Sequence, residues 1–235
     1  MRVKPMGDQG FWDFSGTDWE GIRCWRPSDK DHRWVRWNGR EWLRKSDSRS
    51  LSEIAGYHVA EAIGIPVQPW AAFFERCSKG KGIRSGILVE RMHDADESGS
   101  AAAFATEHPL QIAQFLAFTA FQRLEGEDPE FLRGRHTPLK LIDLDGYGPH
   151  FRHPLKSTDT SSFVKDSEAV FCRARAFAVR FGIEDAFKRS LGQMLIRDPT
   201  SFFDFSGHPD DGLLLKISSG SFRQRVERVR RMQLL

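Results

Sequence analysis

The sequence predicts an α+β fold in which a small antiparallel β lobe carrying one helix precedes a mainly helical C-terminal lobe. Three observations carry this expectation. Strand-like alternation around an Asn-Gly pair occupies the early chain, and helical spacing dominates after residue 100. Six of the seven tryptophans (Trp12, Trp19, Trp25, Trp34, Trp37, Trp42) lie in the first 42 residues, whereas only Phe11 and Phe14 of the 19 phenylalanines precede residue 70. Between the two regimes, residues 94–100 (DADESGS) form a polar, acidic link. The expected units are an irregular Trp-rich arm over 1–30, a small β lobe over 31–93 and a helical lobe over 94–235.

Each element has a local reason. Residues 32–38 (HRWVRWN) and 40–45 (REWLRK) alternate about Asn38-Gly39, a pair suited to the positive φ angles of a type I′ hairpin turn. Residues 46–50 (SDSRS) are turn and N-cap types, and Leu51, Ile54, Ala55, Val59, Ala62 and Ile63 then repeat at helical spacing. Gly64 ends that helix and Pro66 prevents its resumption. Residues 67–75 (VQPWAAFFE) and 86–91 (GILVER) read as buried strands separated by a Gly- and Lys-rich turn. Apolar residues surround the segment 110–124, the mark of a buried helix. The stretch 125–135 is charged and irregular, and residues 138–144 form a strand ending in acids. Helices are expected over 167–181, 183–196 and 219–233.

Composition excludes several classes. At 235 residues with 40% hydrophobic content the chain can bury a sizeable core, so it is not a disordered segment. No window approaches 18 consecutive apolar residues, and residues 1–10 lack the apolar centre of a secretory leader. Cys24, Cys77 and Cys172 are odd in number and far apart, so a reducing, cytoplasmic setting without disulfides is expected. A net charge of +3 from 35 basic and 32 acidic side chains is too balanced to argue for nucleic acid, which is not the expected partner. No dinucleotide fingerprint, Walker loop or nucleophile elbow is present. His150 and His153 form an HxxH pair without the further ligand that a zinc hydrolase requires.

What remains is an ordered set of charges at element ends. Lys45 ends a strand and Glu53, eight residues on, falls in the first turn of a helix. Glu90-Arg91-Met92 follows an apolar strand, where the backbone could read the edge of a base. Asp143 and Asp145 close the strand LIDLDG, a position suited to a hard divalent cation.

In that order, WLRKSDSRSLSEIAGYHVAEAIGIPV, GILVERMHDAD, FLAFTAFQRLEGEDPEFL and LKLIDLDGYGP resemble the HipA-like kinases and the wider branch of protein-kinase-like folds that includes phosphoinositide kinases. The tail FRQRVERVRRM is similar to that family's closing helices, so the resemblance spans residues 32–232. It implies a two-lobed, protein-kinase-like fold whose 31–93 unit binds ATP and whose partner is a phosphoacceptor hydroxyl on a protein or small molecule. By resemblance, Lys45 contacts the nucleotide phosphates, Glu53 orients Lys45, Glu90 and Met92 flank the adenine, and Asp143 holds Mg²⁺. The departure lies in residues 123–131 (RLEGEDPEF), where the family carries a catalytic Asp followed by a metal-binding Asn. Asp128 is the one Asp there but stands close to Phe131; Glu125 is better spaced, and Glu130 then occupies the metal-binding position. The Asn38-Gly39 turn is the one candidate for a phosphate flap. Two functions follow from this pattern: an ATP- and Mg-dependent phosphotransferase, or a pseudokinase that binds nucleotide or a partner without transfer.

Overall fold

The computed structural model describes residues 10–15, 20–21, 32–46, 49–76, 82–93, 95–96, 101–122, 130–134, 139–142, 144 and 160–233. It is a mixed α+β chain. Strands β1 (Phe11–Asp13), β2 (Glu20–Gly21), β3 (His32–Trp37), β4 (Arg40–Lys45), β5 (Trp70–Arg76) and β6 (Ile83–Glu90) form one sheet in the order β1-β5-β6-β4-β3-β2. Strands β7 (Ala95–Asp96), β8 (Glu130–Gly134) and β9 (Lys140–Ile142) form a second. The helices are α1 (Ser50–Ala62), α2 (Ala101–Phe104), α3 (Pro109–Gln122), α4 (Thr160–Arg180), α5 (Glu184–Leu195) and α6 (Asp211–Gln233), with a 3-10 turn at Pro199–Phe202.

The hairpin turns where the sequence requires it, with Asn38 at φ 50° and Gly39 at φ 72°. Its register pairs Val35 with Trp42, so Trp42 and Arg44 share one face of β4 while Leu43 and Lys45 share the other. Pairing of β6 with β4 and β5 extends the two faces across the sheet. On the outer face Phe14, Val35, Trp42, Phe73 and Leu88 form a compact cluster, with Trp12 and Trp37 packed against it. Trp42 donates its indole N–H to the Trp37 carbonyl at 3.0 Å, so the buried ring leaves no orphan donor. On the inner face Phe11, Ala72, Phe74, Ile87 and Val89 join α1 and then α3 to α6 in one continuous apolar core.

Helix α1 ends in a Schellman motif: Gly64, at φ 76°, donates to the Glu61 carbonyl at 2.9 Å and Ile65 to that of Ala60 at 2.9 Å. The chain then passes Val67, which bridges to Leu141 in β9, while the Leu141 N–H donates to the Pro66 carbonyl at 3.0 Å. The segment after α5 returns to the big sheet: the Phe11 N–H donates to the Ser206 carbonyl at 2.7 Å, and Phe203 and Phe205 face His58 of α1.

None of α1, α3 and α5 carries a basic residue in its last turn, and each is closed by an arginine from elsewhere. Arg197 donates to the Ala62 carbonyl, Arg228 to those of Ala120 and Phe121, and Arg230 to that of Leu195. The cations sit at the negative ends of the helix dipoles and satisfy carbonyls that the helices leave open.

Several expectations need correction. The 1–30 arm is not wholly irregular, because β1 and β2 fall within it, and β1 makes the sheet mixed by pairing parallel to β5. Phe11 packs inward and Trp12 and Phe14 outward, an alternation too short to stand out in sequence. The strand expected from 67 begins at Trp70, since Gln68 and Pro69 turn toward Glu90, and the strand expected from 86 begins at Ile83. Residues 130–134 form β8 rather than an irregular stretch. The last helix begins at Asp211, ahead of the Ser218-Ser219-Gly220 run that masked its periodicity.

Candidate active site

Period-two geometry aims Lys45 at α1. The strand end is pinned from the opposite face, where Arg44 donates to Glu75 at 2.7 Å and to the Ser46 hydroxyl at 3.0 Å, its guanidinium 5.2 Å from the Phe73 ring centre. Lys45 Nζ then reaches Glu53 Oε1 at 2.9 Å, with side-chain exposures of 13% and 2%. Glu53 belongs to the first turn of α1, where the helix dipole favours a carboxylate, and its own N–H is held by the Arg49 carbonyl at 2.9 Å. A Lys–Glu pair buried this far needs each partner, because either charge left alone in the interior is costly.

Glu90 ends β6 a few residues beyond Ile87, the residue that faces Lys45, and Met92 follows it. The Glu90 carboxylate is held by Arg40 with both oxygens at 3.1 Å. Its backbone faces residues 68–69, with the Glu90 N–H donating to the Pro69 carbonyl at 2.8 Å and the Glu90 carbonyl accepting from Gln68 Nε2 at 3.1 Å. Arg91 turns the other way, its N–H on the Glu41 carbonyl at 2.8 Å and its guanidinium on Glu41 Oε2 at 2.8 Å and over Trp34. The Met92 N–H and carbonyl have no hydrogen-bond partner among the described residues. The expected base-reading carbonyl of Glu90 is thus already engaged by the protein, and sequence spacing gave no signal of Gln68.

Of the remaining candidates, Glu130 stands in β8 directly opposite Ile142, the residue that precedes Asp143. The register therefore brings backbone positions 130 and 142 side by side. Asp143, Glu125 and Asp128 lie outside the described residues, as do His150, His153, Cys24 and Cys77. Among the described residues no cluster of three metal-ligating side chains occurs, and no helix is long and apolar enough to cross a membrane. Cys172 is a free, exposed thiol on α4.

A second polar pair was not foreseen. His208 Nε2 lies 2.9 Å from the Ser85 hydroxyl, while Nδ1 accepts the Asp210 N–H at 3.0 Å. An acceptor role at Nδ1 puts the imidazole proton on Nε2, so the histidine donates to Ser85 and cannot act as its base. The pair is a brace between β6 and the return segment, not a hydrolytic dyad. His58, on α1 between Trp70 and Phe205, is held neutral by burial, which pulls its pKa down to about 4 against the opposing charge of Asp204.

No family model matches the sequence, and no curated protein matches it. A solved structure with which the chain aligns is described as a Helicobacter pylori proinflammatory kinase, CtkA. The two are 8% identical, with a TM-score of 0.48 over 95% of this chain and 99% of that one. At that level of likeness, the functional reading rests on this chain's own side chains.

Proposed function

We propose that the chain is an ATP- and Mg-dependent phosphotransferase on a two-lobed, HipA-like kinase plan, with the 31–93 unit holding the nucleotide and a protein or small-molecule hydroxyl as acceptor. The observation that carries this reading is the buried Lys45–Glu53 pair, 2.9 Å long, spanning from strand end to helix start. Glu53 helps fix the position of the Lys45 ammonium, so Lys45 would meet nucleotide phosphates with part of its freedom already lost. Met92, whose N–H and carbonyl have no hydrogen-bond partner among the described residues, would offer a backbone donor and acceptor to the base. Asp143 and Glu130 are the residues that would hold Mg²⁺. The cation supplies charge neutralisation for the phosphates. Glu125 or Asp128 would accept the acceptor hydroxyl's proton.

A second reading, a nucleotide-binding module without transfer, is favoured by the acidic composition of residues 123–131, which adds negative charge where phosphate charge must be offset. Incubation with Mg-ATP and analysis for ADP and phosphorylated product separates the two. Lys45→Met and Asp143→Asn should each abolish turnover in a chain that still folds by circular dichroism, and undiminished turnover would sink the assignment. Binding without product supports the second reading; absence of binding rejects both.

A further inference from the structure

Glu53 meets Lys45 only while α1 keeps the right height and rotation against the sheet, and contacts on α1 away from that pair set both. Every residue from Ser52 to Ala60 is buried, so over about two and a half turns the helix has no free face. His58 follows Glu53 by five residues, which places it about 140° further round the helix axis, on the back of α1 as seen from Lys45. Two rings press on that back edge-on. Phe205 stands 5.6 Å and Phe203 6.5 Å from the His58 ring, and the two phenylalanines stack on each other at 5.9 Å. The tail of the helix is held as well, because Arg197 donates to the Ala62 carbonyl. Rings behind α1 oppose its rotation and its retreat from the sheet, and a guanidinium at its end opposes sliding along its axis.

This backing is itself anchored. The Phe11 N–H donates to the Ser206 carbonyl at 2.7 Å, His208 Nε2 meets the Ser85 hydroxyl of β6 at 2.9 Å, and the Phe202 ring lies 4.4 Å from that of Phe222 in α6. Gly207, at φ 84°, lets the chain pass β1 where a Cβ would stand 2.8 Å from the Phe11 carbonyl oxygen. Residues 197–208 are thus joined to the sheet that carries Lys45 and, at the same time, to the helix that carries Glu53. Resting on the phosphotransferase reading, we infer that Arg197 and Phe205 are positioning residues for the Lys45–Glu53 pair, so that the pair is set from the chain's own C-terminal half.

The test labels Lys45 in the full chain by reductive methylation without nucleotide and follows its modification by mass spectrometry. Phe205→Ala and Arg197→Ala should each speed that labelling about fivefold, because a helix free to shift lets Glu53 leave the ammonium. Arg197→Lys keeps a cationic donor for the helix end and should return the rate to that of the wild type. Leu191→Ala opens a cavity in α5, which packs on α3 and α4, and serves as the control for lost stability. It should lower the melting temperature and leave Lys45 labelling within about twofold of the wild type. With Mg-ATP, Phe205→Ala and Arg197→Ala should lose about tenfold in kcat, and Arg197→Lys should regain it. Phe205→Leu takes the place of the alanine variant should that one fail to fold by circular dichroism. Labelling unchanged in the variants that face α1, or raised as much by Leu191→Ala, overturns the inference. Faster labelling confined to those variants, with no ATP turnover even in the wild type, upholds the positioning of the pair and rejects the phosphotransferase reading.

Discussion

Arg44 and Lys45 are neighbours on β4, and each pairs with a carboxylate, Arg44 with Glu75 at 2.7 Å and Lys45 with Glu53 at 2.9 Å. They point to opposite faces of the sheet and are built differently. The Arg44 guanidinium is planar, lies over Phe73, and spreads its donors between Glu75 and Ser46, so its geometry is fixed several times over. The Lys45 ammonium is a compact charge on a flexible stem, aimed from a strand at a helix. The outer pair locks a surface of tryptophans, whereas the inner pair ties a strand end to a helix start. Burial and distance alone do not distinguish a structural ion pair from a functional one; replacing each cation in turn does.

The largest effect that tests this contrast comes from removing one cation at a time. Lys45→Met and Arg44→Met should each cost about 3–5 kcal/mol in denaturant melts, because each removes the cation from an ion pair with a buried member, Glu53 in one and Arg44 in the other. The double variants Lys45→Met/Glu53→Leu and Arg44→Met/Glu75→Leu should recover most of that loss. Only the second should still show a thermal shift with Mg-ATP, and a shift in both would erase the functional difference between the faces.

The inner face should also be the pH-sensitive one. Unfolded, His58 takes a proton near its ordinary 6.5, and folded only near 4. Its contribution is therefore complete above pH 6.5 and is lost as pH falls toward 4, by about 3 kcal/mol. His208 is shifted in the same direction, chiefly by burial, and adds to the slope. The stability profile of His58→Leu should be flatter than wild type across that window, and parallel profiles would refute the assignment.

On the outer face the sharpest probe is Gly86. A Cβ there would stand 2.2 Å from the Phe73 ring and 2.6 Å from the Lys45 carbonyl. Gly86→Ala should cost about 1–3 kcal/mol, and Phe73→Leu in the same chain should recover part of it. Full recovery would mean that the ring alone, and not the Lys45 backbone, is the obstacle. The smallest effect belongs to the rim, where Arg40 is half exposed. Arg40→Ala should change stability by no more than about 1 kcal/mol, a larger loss marking the Glu90 clamp as part of the fold's core.

The parts of this molecule legible in sequence are those governed by neighbours along the chain. The Asn38-Gly39 turn, the Gly64 stop and the alternation that aims Lys45 at one face and Arg44 at the other need no tertiary information. Glu53 was legible because a helix start after a turn cluster fixes its place. Gln68 and the His208–Ser85 brace were not, since the brace joins residues 123 apart and Gln68 acts through a contact to a backbone carbonyl. Short strands such as β1 and β8 were lost because three to five residues hold too few periods to rise above composition. Arg228 read as one more charge on an outer helix face, yet it is largely buried against the end of α3, with burial lowering its pKa to about 10.

That arginine and its two companions set an order on assembly. Their donors stand 135 residues after the carbonyl of α1, up to 108 after those of α3 and 35 after that of α5. On a ribosome, each of these helices is made well before the cation that completes it. α1, which carries Glu53, therefore waits for most of the chain before its last open carbonyl is met. Closure of the C-terminal end of α1 is in this way tied to late events in synthesis.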